Sequence, residues 1–376
     1  MTGWFDRWLG RQRERWADWR NQRLQDPAFQ RWAAGFWLTR GRSRREAAEI
    51  FDLVAGFIYS QVLLALVRSR VLESLRTGPQ LDADLRSALA LPDEGAETLL
   101  QAATSLDLLE PRQGSRWALG PKGAALLGNP GVLAMIEHHA VLYQDLTDPL
   151  ELLRSPRGSS QLARYWPYAT GAAPAESASC EIVDYTQLMA ASQSLVAAEI
   201  IDAYDFSQHR CVLDVGGGDG SFLRAVAARH PHLSLQLFDL PAVAQVAVPK
   251  LAGLGVAVHG GDFTRDPLPQ GADLITLVRI LHDHDDPRAL ELLKAVRRMV
   301  PPGGCLLIAE PLADTGGARR MGHGYFGFYL FAMGSGRPRT MKEIGELLEK
   351  AGFSYPVSRS TRIPLQTSVL VSHPLG

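Results

Sequence analysis

Val212-Leu-Asp-Val-Gly-Gly-Gly-Asp-Gly220 is the stretch that decides how this chain folds. An apolar run from Cys211 to Val215 gives way to glycines at 216, 217, 218 and 220, and a helix-like pattern resumes from Ser221. A buried strand turning sharply into a helix writes this pattern, and a backbone bare of Cβ atoms lets a ligand lie against it. Nineteen positions after Gly220, Asp239 closes the next apolar run, Leu233 to Phe238. An acid at that place meets the two hydroxyls of a ribose. Together the two features point to a ligand that contains a nucleoside.

The glycine spacing separates the candidates. Dinucleotide binders use G-x-G-x-x-G, which rests a pyrophosphate on the helix N-terminus. Here Gly216, Gly218 and Gly220 make G-x-G-x-G, and the sixth position is Ser221. Asp214 and Asp219 would repel a pyrophosphate. They suit a ligand with a positive centre and an ammonium group, such as S-adenosylmethionine (SAM). The plain alternative is a glycine-rich turn without a ligand, but glycines at this density cost folding entropy that an ordinary loop avoids.

A length of 376 residues predicts two domains, or one large domain with an appendage, and 46% hydrophobic residues suffice for real cores. Cys180, Cys211 and Cys305 are far apart with no C-x-x-C, so neither a disulfide framework nor a zinc site is implied, and a reducing, cytoplasmic setting is expected. The first thirty residues lack the apolar core of a secretory signal. The best run for a membrane span, Phe51 to Val67, contains Asp52, Ser60 and Gln61, and is read as non-spanning.

The net charge of −1 hides an asymmetry: residues 1–45 carry eleven arginines against four acidic residues. The same arm holds Trp4, Trp8, Trp16, Trp19, Trp32 and Trp37. On a helix the first four fall within an arc of about 120°. Such an arm either lies in a membrane interface or packs on its own protein or a second copy. Interspersed Asp6, Glu14, Asp18 and Asp26 argue against nucleic acid.

Four regions are expected: the basic arm 1–45, a helical segment with a hairpin at 46–125, a helical linker or capping region at 126–205, and an α/β region at 206–376. Within the second, helices at Phe51–Val67, Leu81–Leu89 and Glu97–Leu109 lead into two short strands about Gln113-Gly-Ser115, a winged-helix shape. The helix before the hairpin has no basic face, so a dimerisation platform is favoured over a DNA reader. The third region looks helical, with a Gly/Ser/Pro-rich break at 155–179. In the fourth, strands at 210–215, 233–238, 256–260, 272–278, 304–310 and 368–373 alternate with helices that include 221–229, 286–299 and 340–351. That alternation predicts a mostly parallel, doubly wound, Rossmann-like sheet with ligands at the strand C-terminal ends.

On that edge, strand 272–278 runs into Arg279-Ile-Leu-His-Asp-His-Asp-Asp286, and strand 304–310 ends in Glu310. His282 is the candidate base for drawing a proton from a nucleophile in line with a sulfonium, and Glu310 the carboxylate that sets its tautomer. Asp283, Asp285 and Asp286 also read as a helix-capping cluster, which accounts for Asp285 or Asp286 better than for His282. Consecutive placement of these residues with His284 is not a metal-ligand geometry, and no metal is expected. Asp262 and Phe263, closing strand 256–260, are either an adenine contact or a simple turn. Asp214, Gly216, Gly218, Asp239 and Arg279 complete the expected cofactor contacts.

These motifs, Asp214–Gly220, Phe238-Asp-Leu-Pro241, Gly260-Gly-Asp-Phe263 and Leu281-His-Asp283, in this order resemble the SAM-dependent O-methyltransferases of the hydroxyindole, caffeate and flavonoid type over roughly residues 47–374. The resemblance implies a class I SAM-methyltransferase fold with an N-terminal winged-helix dimerisation domain and a homodimer. It implies His282 as base, Glu310 as its partner, Asp239 on ribose, and Asp262 and Phe263 on adenine. Tyr185 and Met189 would line the SAM and substrate pocket. Two departures stand out: Pro338 occupies the place of a second family glutamate, and His284 that of a tryptophan. Base catalysis is then expected to rest on His282 and Glu310 alone.

The arm, Phe51–Gln61 and Ala163-Arg-Tyr-Trp-Pro-Tyr168 are most similar to the carotenoid O-methyltransferases of purple photosynthetic bacteria. That likeness implies the tertiary 1-hydroxyl of an acyclic carotenoid, such as hydroxyneurosporene or demethylspheroidene, as acceptor. It also implies a cytoplasmic location, peripheral to the intracytoplasmic membrane. The segment His323–Met333 reads as a helix walling an apolar slot, with Tyr325, Phe328 and Tyr329 toward the substrate, or else as an ordinary buried dimer helix. Methylation of a phenol or of a tetrapyrrole carbon, and a SAM-sensing winged-helix regulator, are the other readings.

Overall fold

The computed structural model of the protein describes residues 2–165, 193, 195–318, 320–364 and 367–376. Its largest element is a seven-stranded sheet made of β4 (Cys211–Val215), β5 (Ser234–Asp239), β6 (Ala257–Gly260), β7 (Leu274–Val278), β8 (Cys305–Glu310), β9 (Val357–Arg359) and β10 (Ser368–Ser372). The strand order is β6-β5-β4-β7-β8-β10-β9. Pairing is parallel from β6 to β8, and β10 runs antiparallel to both β8 and β9.

The apolar runs explain why the sheet is sandwiched. Every residue of β7, β8 and β10 is buried, as central strands covered on both faces require. Alternate side chains serve alternate layers. Leu213, Ile275, Leu277, Leu306 and Ile308 pack against helices Asp286–Met299 and Met341–Ala351. Val212, Leu235, Leu237, Leu274 and Leu307 face helices Ser221–Arg229 and Pro241–Leu251 and the segment Val196–Tyr204. Helix Met341–Ala351 shows how locally these elements are specified. Thr340 and Glu343 form a reciprocal capping box, and Gly352 ends the helix at φ 89°.

Strand order reverses on either side of β4. At such a switch point the loops after neighbouring strands part and leave a crevice at the C-terminal edge. Gly216 (φ 73°), Gly218 (φ 58°) and Gly220 (φ 80°) make the turn there, in a region that side chains rarely tolerate.

The N-terminal part contains α1 (Thr2–Gln25), α2 (Pro27–Gly35) and α3 (Arg40–Arg68), shorter helices at Asp82–Leu89 and Asp93–Ser105, and a three-stranded sheet. Its strands are β1 (Gln80–Leu81), β2 (Leu109–Arg112) and β3 (Arg116–Leu119), in the order β1-β3-β2. Leu66, Leu72, Leu85, Leu100, Leu109 and Trp117 form its core, and the Trp117 indole N–H donates to Asp82 at 2.7 Å. This is the three-helix-and-wing arrangement expected from the sequence.

Several local expectations change. The helix expected at Phe51–Val67 starts at Arg40 and runs through position 45, where the sequence suggests a boundary. At that length it is one helix with an apolar window of mean hydropathy 2.0, long and apolar enough to cross a membrane by composition, and only 22% of the window is buried. The polar Asp52, Ser60 and Gln61 do not offset its leucines, valines and phenylalanines. The helix expected at Glu97–Leu109 spans Asp93–Ser105 instead, because Asp107 adopts a left-handed φ of 59° and breaks it. Strand β9 gave no signal, being three exposed residues. Helix Pro241–Leu251 was equally silent, being apolar nearly throughout. The first turn of the aromatic segment is a π-helix, Arg320–Phe326, before α-helix Gly327–Met333 begins.

Candidate active site

The glycine turn, Asp239, Asp262, His282 and Glu310 all emerge on one edge of the sheet, because each follows or closes a parallel strand. Asp214, 1% exposed in β4, accepts the Thr276 hydroxyl at 2.6 Å through Oδ1. Its Oδ2 is buried with no hydrogen-bond partner among the described residues. Burial pushes this carboxyl up to about 7. Asp239 braces the glycine turn: Oδ2 accepts the Gly218 N–H at 2.8 Å, and Oδ1 the Leu240 N–H at 2.7 Å. Burial pushes it up to about 6, against the pull of those two bonds. Space is open where a Cβ on Gly218 would lie.

Asp262 caps its own turn, accepting the Thr264 N–H at 2.9 Å and hydroxyl at 2.7 Å. Phe263 is already contacted on two sides, by the edge of His284 at 5.3 Å and by the Arg288 guanidinium at 5.5 Å. His284 is pushed down to about 3, by burial first and by Arg288 next, so it is a neutral ring.

His282 stands in the 3₁₀ turn Leu281–Asp283 just after β7, and is 7% exposed. Glu310 Oε1 accepts the N–H groups of Ile280 (2.9 Å) and Leu281 (2.7 Å), so the carboxylate shapes the turn that carries the histidine. Its Oε2 is hydrogen-bonded to His282 Nδ1. Asp283 Oδ1 lies 3.2 Å from Nε2. Burial works against an imidazolium here, yet Glu310 and then Asp283 outweigh it and raise His282 above its ordinary value.

Asp283 corrects one expectation. It is a second carboxylate on the histidine rather than a helix cap. Nor does Asp285 cap by its side chain, which instead accepts the Gly336 N–H and an Arg157 N–H, both at 3.0 Å. The segment Gly336–Thr340, which includes Pro338, braces the turn from behind. Arg337 N–H donates to the His282 carbonyl at 2.9 Å, and Arg339 donates to the carbonyls of Leu281 and His284. A Cβ on Gly336 would strike that same His282 carbonyl, so only glycine fits.

His282, Asp283 and Arg279 open onto a cavity of about 310 Å³ whose remaining walls are largely apolar. Arg279 reaches it from a left-handed backbone (φ 58°), its N–H bonded to the Ala309 carbonyl at 2.8 Å. Met135, Ile136 and His139 of helix Pro130–Asp145 form one wall, and Tyr325, Phe326 and Tyr329 another. Phe328 does not line it: one residue round the helix from Tyr329, it is 37% exposed on the outer side, which corrects that assignment. Tyr185 and Met189 lie outside the described residues. Among the described residues no group of three or more His, Cys, Asp or Glu stands ready to hold a metal ion.

A family model described as an O-methyltransferase domain matches residues 143–354. Demethylspheroidene O-methyltransferase of Cereibacter sphaeroides is 46% identical over 317 residues, 83% of each chain. The chain belongs to the O-methyltransferase family. Acetylserotonin O-methyltransferase of Mus musculus is 31% identical over 348 residues, covering 86% of this chain and 88% of that one. The crystal structure of human N-acetylserotonin methyltransferase in complex with SAM superposes with a TM-score of 0.72 at 25% identity, over 88% of this chain and 98% of that one.

The protein is a SAM-dependent O-methyltransferase, and its own residues fit that co-substrate. The orphaned Asp214 Oδ2 offers an acceptor, the open face of Gly218 offers room, and a half-buried acid, Asp239, stands at the end of β5.

Proposed function

We propose that this O-methyltransferase methylates a hydroxyl oxygen of an acyclic carotenoid, at a tertiary 1-hydroxyl, with His282 as general base. The observation that carries the base assignment is the imidazole held between two carboxylates at the floor of an apolar cavity. The acceptor class draws support from the relatives in Cereibacter sphaeroides and Rhodobacter capsulatus named for demethylspheroidene, 46% and 45% identical.

SAM supplies a methyl group on a sulfonium, open to attack by an oxygen. Asp214, Gly216, Gly218 and Asp239 would hold it at the switch point, with Asp262, Phe263 and Arg279 along the same edge. Glu310, bonded at Nδ1, keeps the proton on that nitrogen, so the neutral ring presents its Nε2 lone pair on the side of Asp283. Nε2 would take the hydroxyl proton as the oxygen forms its bond to the methyl group and the methyl–sulfur bond breaks, its electron pair leaving a neutral thioether, and Glu310 with Asp283 would stabilise the imidazolium. A general base typically contributes ~10²–10⁴-fold. Holding the oxygen in line supplies roughly 7–11 kcal/mol, so the walls matter more than the base.

The same reading accounts for the N-terminal helices. Phe51, Leu53, Val54, Phe57 and Ile58 are exposed on α3, and a second copy of the chain would cover them in a homodimer. Trp16 and Trp19 lie exposed on α1 with Arg20 and Arg23 over their rings, at 5.4 and 5.9 Å. That pairing suits the headgroup layer of a membrane in which the acceptor is dissolved, at its cytoplasmic face.

The test is incubation of purified protein with methyl-labelled SAM and 1-hydroxylated carotenoids in detergent, simple phenols and a chlorin. Label in a carotenoid methyl ether supports the reading. Label only in a phenol or in the chlorin overturns the acceptor class. SAM binding without any transfer would favour a sensor.

A further inference from the structure

Two adjacent histidines on helix Pro130–Asp145 meet two tyrosines across the cavity wall. His138 Nε2 is 2.8 Å from the Tyr329 hydroxyl, and His139 Nε2 is 2.7 Å from the Tyr325 hydroxyl. The tyrosines stand one helical turn apart with their rings stacked at 5.7 Å and 27°. The pairs join residues 191 and 186 positions apart, so they form only once the chain has folded. No motif of the family resemblance includes either histidine.

The chemistry of the pairs is neutral. Burial lowers both imidazoles, His138 to about 4, and burial raises the Tyr325 phenol. Each imidazole therefore exchanges a hydrogen bond, not a charge, with its phenol. With the hydroxyls tied off in this way, the tyrosines offer flat ring surface to the cavity. Tyr325 in turn stands edge-on to Phe326 at 5.0 Å and 74°, and the Phe326 ring lies 6.0 Å from that of His282. Met321, Tyr325 and Phe326 all come from the π-helical turn Arg320–Phe326, a geometry uncommon in α-helices and frequent at functional sites.

We propose that His138 and His139 are positioning residues: by latching Tyr329 and Tyr325 they fix the π-helical turn, and so place the acceptor's apolar body beside His282. The inference rests on the reading that this cavity receives the acceptor. It assigns the histidines no proton transfer and no contact with SAM.

The experiment is a double-mutant cycle of His139→Leu and Tyr325→Phe, with His139→Gln as the conservative replacement. Wild type and variants are assayed with a 1-hydroxylated carotenoid and with a simple phenol. One lost hydrogen bond predicts a fall of roughly three- to ten-fold in kcat/KM for the acceptor in each single variant. KM for SAM stays at the wild-type value, the double variant is no worse than either single one, and glutamine restores part of the loss. Additive losses, a matched rise in KM for SAM, or acceptor kinetics unchanged in both single variants would overturn the latch. If the wild type fails on the carotenoid but methylates the phenol, the acceptor reading fails and the cycle is scored on the phenol. If both acceptors fail, amide exchange of residues 320–333 decides: faster exchange in each single variant, and no faster in the double, supports the latch, and unchanged exchange refutes it.

Discussion

One cavity holds two kinds of histidine, and their difference shows what each wall is for. His282, on the floor, faces two carboxylates, which raise it above an ordinary histidine in spite of its burial. His139, on the wall, and its neighbour His138 face phenols, and burial lowers both. His282 and His138, 7% and 8% exposed, thus differ because of the partner each was given: a carboxylate favours the charged ring, and a phenol leaves desolvation unopposed. On the proposed mechanism the floor accepts the proton, and the wall stays uncharged against an apolar acceptor.

Removing the floor histidine should break the comparison most sharply. His282→Ala is expected to lose ~10²–10⁴-fold in kcat, while SAM affinity, measured by calorimetry, stays within error. Turnover at the wild-type rate would refute the base assignment. The partner comes next. Glu310→Gln deletes a charged hydrogen bond, which predicts a loss of roughly 10- to 100-fold. The base works as the neutral ring, so activity rises with pH through the His282 pKa. Glu310 raises that pKa, so the acid limb of the kcat/KM profile should move to lower pH in the variant. A limb that stays in place would mean Glu310 acts only on the turn.

The wall gives a smaller effect with the opposite sign. His138 is pushed down to about 4, so the folded state disfavours its charged form. The stability it contributes is fully present above pH 6.5 and is lost as pH falls toward 4, on the order of 3 kcal/mol in total. Chemical denaturation between pH 7 and 4 should therefore be flatter for His138→Gln than for the wild type. The smallest effect is expected farthest from the cavity. Deleting residues 1–45 should leave kcat on detergent-dissolved acceptor unchanged within about two-fold, yet abolish co-sedimentation with anionic vesicles. Vesicle binding that survives the deletion would place the membrane contact elsewhere.

Much of the floor was legible in the sequence. The glycine turn, Asp239, His282 and Glu310 each sit where a parallel strand ends, and apolar runs mark those ends. The wall was legible only in part. Tyr325 and Tyr329 belong to a visibly aromatic helix, but Phe328 looks the same in sequence and faces outward. Asp283 was masked by its neighbours, since three aspartates before a helix resemble a cap. The full reach of α3 was hidden because its first turns, Arg40-Gly-Arg-Ser-Arg-Arg45, carry no apolar period.

The sequence by itself determined the strand order's raw material, the crevice-forming turn and the identity of the chemical groups, because strands, turns and caps are set by residues within a few positions of one another. Only the tertiary structure decided which carboxylates flank His282, which aromatic faces line the cavity, and that two histidines of one helix hold two tyrosines of another. Apart from Asp283, which adjoins His282 in the chain, those are contacts between residues 28 to 191 positions apart, and no local periodicity encodes them; they exist only once the sheet and its helices have packed.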